Sequence, residues 1–125
     1  MEIAYHSKCI DDIESLCGNN KTNEKILRNA IEEFKSINFD EALKKSEIAP
    51  LHGVEKRTKK IIEESGHLPD VFEYRKFPGS HPFRVIFIIK NSKDYALLIA
   101  VSLHGKMNSH FNEMFEKRIK SFFQL

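Results

Sequence analysis

Residues Asp70 to Lys106 read DVFEYRKFPGSHPFRVIFIIKNSKDYALLIAVSLHGK. Three apolar runs are separated by two turn clusters. Val71–Phe77 is followed by Pro78-Gly79-Ser80-His81-Pro82, which breaks any strand. Phe83–Lys90 is rich in Val, Ile and Phe, Asn91-Ser92-Lys93-Asp94 is a polar turn, and Tyr95–His104 is the third run. Short β-branched and aromatic runs with such spacers predict a three-stranded antiparallel meander. The middle run is apolar at almost every position, as a central strand covered on both faces should be.

Alternation along a strand sends every second side chain to the same face. Pairing the second hairpin across Asn91–Asp94 sets Arg84 opposite Ser102, with His104 just beyond. Pairing the first across Gly79-Ser80 sets Arg75 opposite Arg84. Arg75, Arg84, Ser102 and His104 then share one face, with Glu73 one step along. A slip of one residue in either hairpin would break the arrangement. Like charges directly opposite in a sheet are unfavourable, so a facing pair of arginines suits an anion held between them. The alternative is that both are edge residues paired to acids such as Glu73.

Outward from the meander, the N-terminal half is mostly helical. Glu2–Ser7 is a candidate strand, and Ile10, Ile13 and Leu16 suggest a short helix stopped at Cys17-Gly18-Asn19-Asn20. Thr22 or Asn23 can cap the next helix. Its apolar stripe is Ile26/Leu27, Ala30/Ile31, Phe34 and Ile37, read as core. Asp40 can cap a further helical piece through Glu47, which Pro50 prevents from continuing, and Leu51-His52-Gly53 is a loop. Val54–Ser65 is predicted helical and closed by Gly66. Asn108 or Ser109 can cap a last helix, with Phe111, Phe115, Ile119 and Phe122 on one face as a core stripe or a docking face. The expected architecture is one α+β domain over residues 1–125. A mainly antiparallel curved sheet (N-terminal strand plus meander, 70–106) packs with helices in 1–66 and 109–123.

At 125 residues, with 41% hydrophobic and 30% charged residues, the chain can bury a real core. No apolar run approaches a membrane span of about 20 residues, and the N-terminus lacks signal-peptide character. Cys9 and Cys17 are too few for a disulfide framework and are not spaced as a metal knuckle. These features predict a cytoplasmic chain with reduced thiols, no membrane association and no cofactor. The net charge is only +2, but it is uneven. Ile10–Ala49 holds six basic and nine acidic residues, whereas Val54–Lys93 holds nine basic and five acidic. The positive charge on and beside the meander suits a phosphate-bearing partner. Lys56, Arg57, Lys59 and Lys60 are candidate RNA-backbone contacts, although Glu55/Lys59 and Lys60/Glu64 also fit a solvated helix face.

The six histidines form no HxxxH or HExxH pattern. There is no Gly-rich phosphate loop and no nucleophile elbow. Leu68-Pro69-Asp70 with Glu73 suggests a metal-dependent nuclease only weakly, because Arg75 stands where the lysine would be. A metal-free set remains. RNA carries its own nucleophile, the 2′-OH, so cleavage needs a base, an acid and cations around the phosphate. His104 is the candidate for proton transfer, and Arg75 and Arg84 for bidentate phosphate contact. Lys76, Lys90 and Lys106 would add field, and Glu73 is a possible base or orienting partner.

The C-terminal half also resembles the RelE/ParE superfamily of toxin–antitoxin toxins, especially its phage-derived, HigB-like branch. Glu73-Tyr74-Arg75 stands for the branch's first element, Phe83-Arg84-Val85 for its second, Ser102-Leu103-His104-Gly105 with Lys106 for its third, and Glu116-Lys117-Arg118 for its basic C-terminal helix. Phe83 replaces the usual aromatic hydroxyl residue, and the double lysine after the histidine is missing. The resemblance implies a RelE-like α+β fold, cleavage of mRNA (often in the ribosomal A site) and neutralisation by a cognate antitoxin. Alternatives are a ParE-like inhibitor of DNA gyrase docking through the C-terminal helix, and an RNA-binding module that cuts nothing.

Overall fold

A computed structural model describes residues 1–77, 81–106 and 109–123, without the side chains of 106 and 109–112. In chain order the elements are β1 (Glu2–Tyr5), α1 (Ser7–Cys17), α2 (Lys21–Lys35), α3 (Phe39–Lys44), β2 (Ile48–Pro50), α4 (Lys56–Glu64), β3 (Phe72–Tyr74), β4 (Phe83–Ile89), β5 (Tyr95–Leu103) and α5 (Ser109–Phe122). They build an α+β fold on one open sheet of five strands, ordered β1-β5-β4-β3-β2. β1 joins β5 in parallel and the other pairs are antiparallel.

Helices cover both faces of the sheet. The odd-numbered residues of β4 (Phe83, Val85, Phe87 and Ile89) enter a core with Leu27, Ala30 and Phe34 of α2, Cys9 of α1 and Phe39 of α3. Ile86 and Ile88 enter a second core with Ile62 of α4 and Phe115 and Ile119 of α5. β4 is therefore the central strand that its unbroken apolar run predicts. The stripe on α2 is core, and so are Phe115 and Ile119, whose burial removes the option that they form a docking face. Phe122 lies outside that core, 46% exposed. Phe111 lies outside the described side chains.

The structure differs from the sequence expectation at several points. Residues 48–50, which the sequence reading left between a helical piece ending at Glu47 and the loop Leu51–Gly53, form β2, which pairs Ile48 with Tyr74 and Pro50 with Phe72. Proline is tolerated there because β2 is an edge strand. α3 is capped by Asn38, whose Oδ1 accepts from the Glu41 N–H at 3.0 Å, not by Asp40. α2 is capped by Asn20, whose Oδ1 accepts from the Asn23 N–H at 3.1 Å, not by Thr22 or Asn23. β3 is three residues long, shorter than the run Val71–Phe77 suggests.

Register decides which side chains meet. The turn sets the Lys90 N–H on the Tyr95 carbonyl at 2.9 Å, and Phe87 pairs with Leu98. Continued without interruption, that register would set Arg84 against Val101. A β-bulge intervenes: Ile86 pairs with Ala100, so Ile99 is the extra residue and Arg84 stands opposite Ser102. The expected pairing is therefore present, and it depends on a bulge that the sequence reading did not include.

Candidate nucleic-acid interface

Arg84, Ser102 and His104 meet at one end of the sheet, where β4 begins and β5 ends. Arg84 is half-buried on the face that carries Ile86 and Ile88. Its Nη1 donates to the Phe83 carbonyl at 2.7 Å and to the His81 carbonyl at 3.4 Å, and its Nε is buried without a partner. Among the described residues it has no carboxylate partner. Carbonyls orient a guanidinium without cancelling its charge, so Arg84 remains a fixed cation. Ser102, opposite, is buried, and its Oγ donates to the Leu103 carbonyl at 3.4 Å. The next residues turn into a 3₁₀ segment, His104–Lys106. The His104 N–H donates to the Pro82 carbonyl at 2.8 Å, which ties the end of β5 to the start of β4. The imidazole of His104 is exposed.

Arg75 follows the expected register only as far as the backbone allows. β3 pairs Glu73 with Ile86 and Tyr74 with Val85, and the ladder stops there. One more step would oppose Arg75 to Arg84. On its other side the Arg75 N–H continues the β2–β3 register, donating to the Glu47 carbonyl at 2.8 Å. Its Nε and Nη2 donate to the Ser46 carbonyl at 3.2 and 3.0 Å, and its Nη1 lies 3.6 Å from the Glu73 carboxylate. Of the two alternatives for the arginines, Arg75 takes the acid-paired one and Arg84 does not. Glu73 is buried, 7% exposed, beside that guanidinium.

The lysines are more dispersed. Lys76 lies 3.7 Å from Glu47. On α4, Lys59 pairs with Asp70 at 3.0 Å rather than with Glu55, and Lys60 reaches Glu64 at 4.0 Å. Lys56 and Arg57 are exposed. Lys90 is not part of the cluster. It lies six residues along the strand from Arg84, about 20 Å away, with its Nζ 4.7 Å from the Tyr95 ring centroid. The side chain of Lys106 lies outside the described residues.

Three further residues carry polar chemistry that the sequence did not single out. His81 stacks on Phe83 with ring centroids 4.0 Å apart, and its Nδ1 is buried without a partner beside Arg84. Asp12 on α1 accepts from the Val101 N–H at 3.1 Å and from Arg118. His6 caps α1, its Nδ1 accepting from the Lys8 N–H at 3.1 Å. Burial, then the Arg118 charge, holds the His6 pKa below its ordinary 6.5. No local pattern marks Asp12 among the acids of α1. His81 was legible only as a turn residue. Among the described residues, no group of three or more His, Cys, Asp or Glu side chains is placed to hold a metal ion. No helix among them is long and apolar enough to cross a membrane.

No protein-family model matches the chain, and no curated protein matches its sequence. Among solved structures, an archaeal RelE–RelB complex from Pyrococcus horikoshii OT3 is similar over 84% of this chain and 96% of that chain, at 14% identity and a TM-score of 0.48. At that identity and score, no residue role and no partner is carried over from it.

Proposed function

We propose that this chain is the toxin of a toxin–antitoxin pair and cuts mRNA without a metal ion. One observation carries the reading: the register that sets Arg84 opposite Ser102 also brings His104 to the same end of the sheet, with Glu73 on the neighbouring strand and Arg75 just past its end. The motif resemblance runs through the same residues.

In this mechanism Arg84, a cation with no acidic partner among the described residues, holds the scissile phosphate, and Arg75 adds a second guanidinium. Proton removal from the 2′-OH lets that oxygen bond to phosphorus. The bond from phosphorus to the 5′-oxygen breaks, and the leaving oxygen takes up a proton. His104, exposed at the rim, serves one of the two transfers. Glu73 serves as the other partner or orients Arg75, and Lys106 assists. The exposed Lys56 and Arg57, with Lys59, Lys60, Lys76 and Lys90, supply the wider field for RNA. The cognate antitoxin and the translating ribosome are the partners that this reading implies.

The test is induced expression in a bacterial host of the wild type and of Arg84→Ala, with growth recorded and mRNA 5′ ends mapped. The proposal expects growth arrest and new 5′ ends with the wild type alone. Arrest without new ends would overturn cleavage and favour an inhibitor of another kind. Equal cutting by both forms would remove Arg84 from the site.

A further inference from the structure

The proposed active end uses the α4/α5 side of the sheet. On the other side, α1 and α2 leave an open groove of about 570 Å³ between them. Ile10, Ile13 and Cys17 of α1 follow one another at helical spacing along one wall, and Ile31 of α2 lines the other. Ile10 is 51% exposed, and Tyr5, at one end, is 39% exposed. These are two of the three large apolar side chains most exposed among the described residues. Isolated exposed apolar residues need no explanation, but these two line one concave groove.

The rim of the groove carries a definite charge. Glu14, Glu24 and Glu32 line it with Arg28, and Lys35 stands beside Glu32 and Tyr5. Arg28 is already committed to Glu24, donating from Nε at 3.0 Å and from Nη2 at 2.8 Å. Glu32 is partnered by Lys35 at 2.9 Å, and Glu14 has no cationic partner among the described residues. An apolar floor with an acidic rim, set between two helices joined by a three-residue connection, matches one kind of occupant. That occupant is a third helix with an apolar stripe flanked by lysines and arginines.

We infer that the α1–α2 groove docks a basic amphipathic helix of a protein partner. The same charges disfavour the other occupants. A second copy packed symmetrically through this groove would face its own Glu14 and Glu24, and an anionic lipid surface would be repelled. The inference does not depend on the ribonuclease reading, because none of the groove residues belongs to the proposed active end.

The probe is a labelled synthetic helix of about five turns with a leucine stripe and lysine flanks, beside an isomer with glutamate flanks. Binding to the full chain is followed by fluorescence anisotropy. The lysine peptide should bind about tenfold more tightly than the glutamate isomer, and the preference should shrink as salt rises from about 0.1 to about 0.5 M. Ile10→Asn, at an exposed position, should weaken binding about fivefold or more without changing the circular dichroism spectrum. Glu14→Lys should reduce the preference for the lysine flanks. Equal binding of the two peptides would overturn the inference, as would full binding by Ile10→Asn. A concentration-dependent dimer that Ile10→Asn abolishes would assign the groove to a second copy and overturn it as well. Loss of RNA cutting by Arg84→Ala would leave all of these outcomes unchanged, so the two readings fail separately.

Discussion

The Asp12 carboxylate and the Arg118 guanidinium meet at 2.5 and 2.9 Å across 106 residues of sequence, over the outer edge of β5. β1 pairs with β5 only as far as Leu98. Beyond it, Asp12 accepts from the Val101 N–H, and Arg118 donates to the Ile99 carbonyl at 3.1 Å. The ion pair thus stands where a strand is missing, and it joins α1 to α5. Both side chains are largely buried, at 9% and 15% exposure. Asp12→Ala would leave Arg118 as an unpaired buried charge and should cost about 3 kcal/mol. Arg28→Ala, which breaks the exposed pair with Glu24, should cost a few tenths of a kcal/mol at most. Urea denaturation of the two variants checks the contrast.

Next to that pair, His6 gives the fold a pH dependence. Burial and the Arg118 charge hold its folded-state pKa below 6.5, and burial does the same to His67. The unfolded chain therefore takes up these protons first. Stability should be flat between about pH 6.5 and 8 and should fall as the pH drops below that range, levelling off once the folded histidines are also protonated. His6→Asn keeps a side-chain oxygen able to cap α1 and removes the titration. Its stability should match the wild type near pH 8 and decline less between about pH 6.5 and 5. A slope identical to the wild type's would show that His6 does not drive it.

Aromatic packing beneath α2 sets a third expectation. Phe34 is 1% exposed and meets Phe87 and Tyr74 edge-on, at 4.8 and 5.2 Å between centroids. Phe34→Ala leaves a cavity between a helix and the central strand and should cost about 3–5 kcal/mol. A shift in the urea midpoint with an unchanged m-value would report lost stability rather than a changed denatured state.

Tyr74 in the same cluster predicts the opposite sign. Its hydroxyl is buried without a partner, and burial, followed by the charges of Glu33 and Glu47, pushes its pKa up to about 12. A buried polar group with no hydrogen bond costs about 1–3 kcal/mol. Tyr74→Phe keeps the ring and removes that cost, so it should be neutral or stabilising by up to about 1 kcal/mol. A clear loss of stability would mean that the hydroxyl is satisfied in solution.

The fold was legible where local pattern and burial coincide. β4 is apolar on both faces because helices cover both, and α2 shows its stripe because one side alone is buried. β2 was not legible, since three residues ending in proline carry no alternation, and only the partner strand β3 makes them a strand. The caps of α2 and α3 were misplaced by two or three positions because each region offers several Asn, Thr or Asp candidates. The path of the backbone chooses Asn20 and Asn38. At the candidate site, Arg84 and Ser102 could be placed together from alternation, but the bulge at Ile99 that makes it so has no sequence mark. The Arg75 guanidinium turns to the Ser46 carbonyl, a contact that no local pattern shows. The pairing of Asp12 with Arg118 is a tertiary contact between two helices of ordinary composition.

The positive face of α4 supplies the last expectation. Lys59 and Lys60 are each near a carboxylate, whereas Lys56 and Arg57 are exposed with no ion pair among the described residues. A cation already paired in the protein must give up that partner to bind a phosphate. Lys56 and Arg57 therefore lose least on contact with RNA and should release the most counterions per residue. For single-stranded nucleic acid, each phosphate contact contributes about 0.7 to the slope of log K against log salt. Lys56→Ala with Arg57→Ala should weaken RNA binding by a similar factor for unrelated sequences and lower the slope by about 1 to 1.5. Lys59→Ala should change the slope less. Filter binding of a short single-stranded RNA across a salt series measures both, using Arg84→Ala as the background so that cutting does not interfere. An unchanged slope in the double variant would place the RNA elsewhere and leave α4 as an ordinary solvated helix.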